Sequence, residues 1–344
     1  MDNLFGQSAS DLPPSRRLFF LSQGAIITGT LALAAELGIA DLLVDGPRSS
    51  VELAQATSTH PRSLYRLLRL LCSVGIFIEI EADRFAQTPV SEYLRTGVPG
   101  SLRSWFRMIG LKNRYQMQAE AIHSIRTGEP VFERVTGMGF FEYHAAHPEE
   151  GEIFNQAMND LGKGVAAAVA QLYDFSGISK IIDVGGGHGT LITAILQKYP
   201  EMTGILFDAP HVAESAREAI ASAGLAQRCE IMGGDFFKSV PAGCDVYLLR
   251  WIIHDWYDDL ALTILRNCRQ SMSKESRLLL VEMVLPTGNE FHPGKTMDYI
   301  MLLCFAGQER TEEEYERLLR VSGFQLKRVV PTGTAFSIIE AMPI

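Results

Sequence analysis

The chain has 344 residues, of which 47% are hydrophobic and 21% are charged, and its formal net charge is −9 at pH 7. This composition is that of a folded protein with a substantial core, and the acidic balance argues against a general affinity for nucleic acid or anionic membranes. Because a single hydrophobic core rarely grows beyond about 250–300 residues, the length predicts more than one structural unit.

Five cysteines are scattered along the chain, and no two of them have the CxxC spacing. They predict neither a disulfide framework nor a zinc site, and they suit the reducing cytoplasm, where we expect the protein to be located. An uncharged apolar segment, Leu18–Ala35, has the outline of a signal peptide or a membrane span. Polar residues interrupt it and the apolar pattern continues beyond it, so we predict a buried helix that two subunits share.

Residues 1–100 are predicted to form a small helical domain of the winged-helix type. Apolar residues recur at helical spacing over Leu31–Leu43, Ser49–Glu52 has the spacing of a capping box, a further helix begins near Pro61, and a hairpin turns near Asp83. A winged helix suggests DNA binding, but this domain has eight Arg, no Lys and ten acidic residues. Such a balance is a poor phosphate-binding footprint, so a structural or dimerising role is favoured.

Residues 101–175 are predicted to be helical, and residues 176–344 to form a domain of alternating strands and helices. Such alternation is typical of a doubly wound parallel sheet. The predicted strands are Lys180–Val184, Gly204–Phe207, Cys229–Met232, Asp245–Leu249, Arg277–Val284, Phe324–Val330 and Phe336–Ala341, and the predicted helices are Leu191–Leu196, Val212–Ala223, Asp258–Gln270 and Thr311–Val321. The last two strands are joined by a turn too short for a parallel crossover, so the final strand must run antiparallel.

A glycine-rich turn follows the first of these strands. Gly185, Gly187 and Gly189 form a GxGxG pattern at the start of a helix, where glycines let the backbone approach a ligand closely. The pattern alone is weak, and a plain tight turn is the alternative. Asp183, directly before the glycines, is suited to receive the cationic amino group of a methionine moiety, whereas it would repel a pyrophosphate. The turn therefore favours S-adenosyl-L-methionine over a nicotinamide dinucleotide.

Acidic residues also follow the next two strands. Asp208 ends the second strand roughly 20 residues after Gly185, where a carboxylate can hydrogen-bond ribose hydroxyls. Asp235 follows the third strand and can accept a hydrogen bond from an adenine amino group, while Phe236 packs on the ring. Acids at three successive strand ends predict a nucleoside site more strongly than any one of them, with solvated loop acids as the alternative.

His254 follows the fourth strand, within the run Arg250–Trp256. A lone histidine in an apolar run is usually a packed core residue, but this strand end faces the ligand crevice of such a sheet, where histidine can act as a general base. Glu282 ends the next strand and Glu309 precedes a predicted helix, so either one can orient the imidazole, or Glu309 can simply complement the helix dipole. No His, Cys and carboxylate set has a metal-binding spacing, so metal-independent chemistry is expected.

Taken together, these motifs resemble the small-molecule O-methyltransferases, typified by plant caffeate and flavonoid enzymes and by bacterial enzymes that modify natural products. The resemblance covers nearly the whole chain. It rests on Asp183–Gly189, Asp208, Gly234–Phe236, Arg250–Trp256, Glu282 and Gly307–Thr311. It implies an α/β class I methyltransferase fold, with a Rossmann-like, mostly parallel sheet in residues 176–344 and a winged-helix dimerisation domain in residues 1–100, and hence a homodimer.

The resemblance also implies roles for individual residues. The catalytic residues would be His254 as the base, with Glu282 and Glu309 beside it. The donor S-adenosyl-L-methionine, which would leave as S-adenosyl-L-homocysteine, would contact Asp183, Gly185, Gly187, Asp208, Asp235, Phe236 and the main chain at Arg250. The acceptor would be a small aromatic hydroxyl compound of secondary metabolism, in contact with His144, Phe154, Met158, Trp251, Asp255, Ile300 and Met301. Neither nucleic acid nor a membrane is an expected partner.

Three departures from the plant pattern concern the acceptor rather than the donor. Leu161 stands where plant enzymes often have histidine, Arg250 stands where lysine is common, and the segment between Met301 and Glu309 is one residue shorter. Some bacterial relatives bind S-adenosylmethionine yet hydroxylate, decarboxylate or guide a pericyclic reaction. Such non-methylating chemistry is the main alternative, and a winged-helix DNA-binding regulator is the distant one.

Overall fold

The computed structural model describes residues 13–305 and 307–344. The first twelve residues of the predicted N-terminal domain, and residue 306, lie outside the described residues. Contacts divide the chain into two compact units. One unit contains the residues up to Tyr115 together with His144–Leu161, and the other contains Gln116–Tyr143 together with Gly162–Ile344.

The amino-terminal region consists of helices followed by a small sheet. Its elements are α1 (Pro14–Ser22), α2 (Gly24–Glu36), α3 (Ile39–Leu42), β1 (Arg48–Ser49), α4 (Ser50–Thr57), α5 (Pro61–Ser73), β2 (Phe77–Glu81) and β3 (Arg84–Gln87), with the strands antiparallel in the order β1-β3-β2. The predicted capping box is present, because Ser49 and Glu52 exchange hydrogen bonds at the start of α4. Leu68, Phe77 and Phe85 are buried in the core of this region. The predicted succession of helices and a hairpin is confirmed.

The apolar segment near the amino terminus is only partly buried. Among the described residues, Pro14–Glu36 alone is long and apolar enough to cross a membrane, a test that core helices of globular proteins also pass. Ala34 and Ala35 of α2 are buried, but α1 has no buried residue and Phe19 is 68% exposed. Within one chain α1 is therefore largely exposed, and its burial against a second subunit stays a prediction.

The middle of the chain is helical, as predicted. Its helices are α6 (Arg103–Ile109), α7 (Lys112–Glu120), α8 (Ile122–Thr127), α9 (Phe132–Thr136), α10 (Phe140–Ala146) and α11 (Pro148–Leu172). The last of these begins with Pro148, whose fixed φ and missing N–H suit the first turn of a helix.

The carboxyl-terminal region forms a seven-stranded sheet with helices between its strands. Its elements are β4 (Lys180–Val184), α12 (Thr190–Lys198), β5 (Thr203–Asp208), α13 (Pro210–Ser222), β6 (Cys229–Gly233), β7 (Val246–Arg250), α14 (Asp258–Ser271), β8 (Arg277–Glu282), β9 (Val284–Leu285), α15 (Pro293–Cys304), β10 (Arg310–Thr311), α16 (Glu312–Val321), β11 (Phe324–Pro331) and β12 (Ser337–Pro343). The strand order is β11-β12-β8-β7-β4-β5-β6, and β12 runs antiparallel to both of its neighbours. The predicted mostly parallel sheet with an antiparallel last strand is confirmed.

Two details of this region differ from the sequence-based expectation. The predicted strand Arg277–Val284 ends in the main sheet at Glu282, and Val284–Leu285 pairs instead with Arg310–Thr311 as a short parallel ladder. Helix α15 was not predicted at all. Its apolar residues are mixed with small and polar ones and follow a proline, so the apolar spacing gives little periodic signal.

Hydrophobic residues cover both faces of the main sheet. Consecutive side chains of a strand point to opposite faces, and accordingly Ile205 and Leu206 belong to two different buried clusters. Helix α12 contributes Ile195 to one cluster, and α14 and α16 contribute Leu265 and Leu319 to the other. Because both faces are covered, the rim of the sheet is where polar side chains can gather.

Candidate active site

Five charged side chains lie at or just beyond one edge of the seven-stranded sheet. Strands β8, β7, β4, β5 and β6 are parallel neighbours in that order, so their carboxyl ends meet at the same edge. The charged residues there are Glu282, Arg250, Asp183, Asp208 and Asp235. The structure therefore gathers at one edge the residues that the sequence places at separate strand ends.

Asp183 is a buried carboxylate near the positive charge of Arg250. It is 1% exposed, and neither of its oxygens has a hydrogen-bond partner among the described residues. Burial raises the pKa of this carboxyl to about 6, against the opposing effect of the positive Arg250. A buried acid of this kind strongly favours an incoming cation that can donate hydrogen bonds. Asp183 therefore fits the ammonium group of a methionine moiety.

The turn after β4 leaves room for a ligand beside the backbone. Gly185, Gly187 and Gly189 have φ values of 72°, 57° and 79°, in the left-handed region that favours glycine. A Cβ at Gly187 would meet no atom within 4 Å, whereas one at Gly185 would lie 2.4 Å from Cδ1 of Ile252. Gly187 thus faces open space at the sheet edge, as a backbone contact to a ligand requires.

Asp208 and Asp235 continue this edge with different degrees of exposure. Asp208 accepts the backbone N–H groups of Gly187 at 2.8 Å and Ala209 at 2.7 Å. Burial raises the pKa of Asp208, and these two N–H groups oppose the rise. Asp235 is exposed and forms an ion pair with Lys238 at 3.3 Å. Each carboxylate keeps acceptor capacity that a ligand hydroxyl or amino group can use.

Phe236 lies beside the glycine turn. A Cβ on Gly185 would be 3.7 Å from Cε1 of Phe236, and the Phe236 ring is 6.4 Å from that of Trp256, centroid to centroid. The amide of Asn267 donates a hydrogen bond to the Phe236 carbonyl oxygen at 2.8 Å. The aromatic face predicted to pack on an adenine is therefore held at the same edge as the acids.

The turn after β7 carries His254 and is fastened by Glu282. Trp251 has a φ of 58°, a left-handed conformation that residues other than glycine rarely adopt. Oε1 of Glu282 accepts the backbone N–H groups of Ile252 at 3.1 Å and Ile253 at 2.9 Å. Burial raises the pKa of Glu282 to about 7, and the charge of His254 opposes the rise. In this arrangement Glu282 holds the backbone of the turn.

His254 itself lies between two other acids. Its Nδ1 is 2.7 Å from Oε1 of Glu309, and its Nε2 is 3.4 Å from Oδ1 of Asp255. Burial lowers the pKa of His254, but the charges of Asp255, Glu309 and Glu282 outweigh burial and raise it to about 10. Burial also raises the pKa of Asp255 to about 6, against the effect of His254. The cluster therefore stabilises the protonated imidazole more than water stabilises it around a free imidazole.

Within the described part of the chain, one group of side chains is close enough together to hold a metal ion, and it belongs to this cluster. His254, Glu282 and Glu309 each offer one ligand atom, and these atoms lie within 4.8 Å of one another. Two ligands about 2.0–2.1 Å from a tetrahedral zinc ion are roughly 3.3 Å apart. The 2.7 Å separation of His254 Nδ1 and Glu309 Oε1 instead matches a hydrogen bond between them.

An aromatic cavity of about 180 Å³ lies beside Asp255. Phe140, Phe305 and Trp256 contribute to its wall, and the rings of Phe140 and Phe305 are 4.4 Å apart, centroid to centroid. Sequence reasoning did not single out Phe140 or Phe305. The available signal is the aromatic run Phe140-Phe141, which the sequence predicts only as part of a helical region.

Four residues predicted to contact the acceptor lie in the same unit as His254. Asp255 lines the aromatic cavity, whereas the indole of Trp251 packs on Phe336 with ring centroids 4.9 Å apart. Ile300 and Met301 lie in α15, where Met301 is 4% exposed. Neither of these two belongs to the residues that line the aromatic cavity.

The other three predicted acceptor residues belong to the first unit. His144 lies in α10, and Phe154 and Met158 lie in α11. The rings of His144 and Phe154 are 5.0 Å apart, so these two side chains form a local aromatic contact. Their contact with an acceptor remains a prediction.

The chain matches known proteins in both sequence and structure. Residues 115–325 match the family model of the O-methyltransferase domain, and residues 19–97 match that of the O-methyltransferase dimerisation domain. The phenazine O-methyltransferase of Lysobacter antibioticus is 45% identical over 98% of each chain, and the mitomycin biosynthesis 6-O-methyltransferase of Streptomyces lavendulae is 38% identical over 90% of this chain and 89% of that protein.

A solved structure shows the same architecture with ligands bound. An O-methyltransferase from neocarzinostatin biosynthesis, in complex with S-adenosylmethionine and 2-hydroxy-5-methyl naphthoic acid, has a TM-score of 0.78 and 30% identity, covering 92% of this chain and 96% of that chain. The family models, the identities and the shared fold agree with one another. The chain belongs to the S-adenosylmethionine-dependent O-methyltransferase family and carries that family's dimerisation domain at its amino-terminal end.

Proposed function

We propose that this enzyme transfers the methyl group of S-adenosylmethionine to a hydroxyl oxygen of a small aromatic natural product, with His254 as the general base. The observation that supports this most is the buried His254–Glu309 hydrogen bond next to an aromatic cavity. The phenazine and naphthoate named in the relatives are aromatic as well.

The donor carries its methyl group on a positively charged sulfonium, so the neutral thioether that departs is already a good leaving group. The protein's part is therefore binding, orientation and exclusion of water. On this proposal Asp183 receives the ammonium group, Asp208 the ribose hydroxyls and Asp235 the adenine amino group. Phe236 packs on the adenine, and the backbone at Gly185, Gly187 and Arg250 completes the donor contacts.

His254 takes the acceptor's proton through Nε2, because Nδ1 is occupied by Glu309. A phenol has a pKa near 10, and an unperturbed imidazole near 6.5 would be a weak base for it. The surrounding acids raise the pKa of His254 to about 10, which makes the proton transfer close to even. Glu309 orients the ring, and Glu282 acts on the base through the backbone of its turn.

The acceptor's aromatic ring fits the cavity beside Asp255. An apolar cavity of roughly 150 Å³ holds a benzene molecule, so the cavity of about 180 Å³ has room for one ring. Phe140, Phe305 and Trp256 offer ring faces and edges, and Asp255 offers a carboxylate to a polar substituent. Contacts from His144, Phe154, Met158, Trp251, Ile300 and Met301 are proposed on the family resemblance.

We further propose domain boundaries near residues 100 and 175, a cytoplasmic location, and no nucleic-acid or membrane partner. The acidic composition of residues 1–100 supports a dimerising rather than a DNA-binding role. Retention on DNA at physiological ionic strength would contradict this assignment.

The first prediction concerns the reaction itself. His254→Ala should lower kcat by a factor of about 10²–10⁴, the usual contribution of a general base, and leave the affinity for S-adenosylhomocysteine within about threefold of the wild type. Turnover of a panel of phenols and hydroxylated heteroaromatics is followed by mass spectrometry, and NMR of the product distinguishes O- from N-methylation. Tight donor binding with no S-adenosylhomocysteine release from any acceptor would favour the non-methylating alternative.

The second prediction concerns pH. Neutral His254 is the active form, and its acidic neighbours stabilise the protonated form, so kcat/KM should rise with pH and level off with an inflection well above 6.5, toward 10. Glu309→Gln removes one negative charge and should move the inflection to lower pH. An inflection that stays in place in Glu309→Gln would belong to the acceptor's own ionisation and would contradict the assignment.

The third prediction concerns the donor site. Asp183→Asn removes the negative charge that faces the ammonium group, and it should weaken S-adenosylmethionine binding roughly 10- to 150-fold, as expected for about 1.5–3 kcal/mol. Isothermal titration calorimetry measures the affinity directly. Glu201→Gln, an exposed site remote from this edge in sequence and fold, serves as the control. Equal affinities of Asp183→Asn and the control would rule out the proposed contact.

The fourth prediction concerns metal ions. We propose that turnover needs none, because His254 and Glu309 are hydrogen-bonded to one another rather than spaced as two ligands of one ion. Dialysis against a chelator such as EDTA should therefore leave kcat unchanged. Lost activity that Zn²⁺ or Mg²⁺ restores would overturn the proposal.

The fifth prediction concerns assembly. The exposed apolar residues of α1 and the matched dimerisation domain support a homodimer, with twice the 38.0 kDa mass of one chain. Light scattering coupled to size exclusion should show this mass at micromolar concentration. Phe19→Asp should shift the population toward monomer, whereas Val321→Asp, an exposed apolar site on α16, should not. A wild-type monomer would contradict the proposal.

A further inference from the structure

The base and its acidic partner lie on two separate segments of the chain, and these two segments are in close contact. His254 belongs to the turn after β7, and Glu309 belongs to the segment Gly307–Arg310 that leads into β10. The backbone N–H of Gln308 donates to the carbonyl oxygen of His254 at 2.9 Å. A Cβ at Gly307 would lie 2.2 Å from that same oxygen, so only glycine permits the approach.

Arg310 is the last residue of the second segment and is 1% exposed. Its Nη1 donates to the carbonyl oxygens of Ile253 at 3.1 Å and Gln308 at 3.3 Å, and its Nη2 donates to that of Trp256 at 2.9 Å. Nε and Nη2 also donate to Oδ1 of Asp258 at 3.1 Å and 2.9 Å. A guanidinium has five N–H donors, and this arrangement uses all five.

The acceptors of these hydrogen bonds show what the side chain holds in place. Ile253 and Trp256 immediately flank the pair His254-Asp255, and Arg310 is the direct chain neighbour of Glu309. One buried cation therefore links the turn that carries the imidazole to the segment that carries its carboxylate partner. Movement of either segment would lengthen the 2.7 Å contact between Nδ1 and Oε1.

We infer that Arg310 is a positioning residue for the base, which fixes the His254 turn against Glu309 through its five hydrogen bonds. This inference rests on the proposed role of His254. Arg310 touches neither the imidazole nor the aromatic cavity among the contacts given above, so its effect on catalysis passes through the geometry of the turn. Lysine has three donors on a flexible stem and cannot make the same five hydrogen bonds.

The test compares Arg310→Lys with Arg228→Met. Arg228 is a suitable control because its guanidinium also donates to three main-chain carbonyls, those of Leu196, Tyr199 and Met202, but beside the amino end of β5.

Arg310→Lys should lower kcat about 10- to 100-fold, since a displacement near 1 Å can cost about 10²-fold. KM for S-adenosylmethionine should change less than about threefold. The inflection of kcat/KM should move to lower pH as the Glu309 contact loosens, whereas Arg228→Met should lose stability with the inflection unmoved.

A double-mutant cycle separates positioning from general stability. If Arg310 acts through the contact of His254 with Glu309, then Arg310→Lys in a Glu309→Gln background should lower kcat less than about threefold further. Losses that simply multiply, or an inflection that stays at the wild-type pH in Arg310→Lys, would overturn the inference. If Arg310→Lys fails to fold, Asp258→Asn gives the same test, because it weakens two of the five hydrogen bonds and keeps the guanidinium.

His254→Ala distinguishes failure of this inference from failure of the proposed function. If the inflection survives in His254→Ala, the base assignment is wrong and the inference about Arg310 is overturned with it. If the inflection disappears in His254→Ala but does not move in Arg310→Lys, only the inference fails. Both are supported if the inflection shifts in Arg310→Lys and if Arg310→Lys lowers kcat less than about threefold further in the Glu309→Gln background.

Discussion

A carboxylate without access to water accepts two successive backbone N–H groups at the start of the turn that carries His254. This carboxylate, Glu282, stands at the end of β8 and so is positioned by the central sheet. The turn needs such a hold because Trp251 adopts a left-handed conformation, which costs about 1–3 kcal/mol. Each hydrogen bond to a charged group contributes about 1.5–3 kcal/mol, which is of the same size as the strain. The position of His254 therefore depends on a contact between the ends of two neighbouring strands.

The same short stretch of chain links the two halves of the site. Arg250 ends β7 beside the buried Asp183, and His254 follows four positions later beside Glu309 and Asp255. One short turn therefore connects the surroundings of Asp183 with the contact between His254 and Glu309.

Buried charge at this edge is the main energetic cost of the site. Asp183, Asp255 and Glu282 all have pKa values raised by burial, which means that the folded protein bears the penalty of keeping them from water. The negative charges of Asp255, Glu309 and Glu282 raise the pKa of His254 to about 10. Asp183 is the buried acid beside the glycine-rich turn. Both arrangements are energetically unfavourable in the protein alone, and ionisable groups with pKa values perturbed in this way are typical of functional sites.

The sequence by itself determined the class of fold and the strand ends at which chemistry can occur. Hydrophobic runs of strand length, glycines before a helix and acids after successive strands are local signals, and parallel topology brings local strand ends to one edge. Those signals identified Asp183, Asp208, His254 and the antiparallel last strand.

Only the tertiary structure decided which acid meets the imidazole, because Glu282 and Glu309 are equally plausible until the chain between them is folded. It likewise revealed the exposed face of α1 and the wall formed by Phe140 and Phe305, since burial and cavity shape depend on segments distant in the chain. The five hydrogen bonds of Arg310 also depend on the tertiary structure. Most of their acceptors lie more than fifty residues away in the chain, and no sequence spacing predicts them.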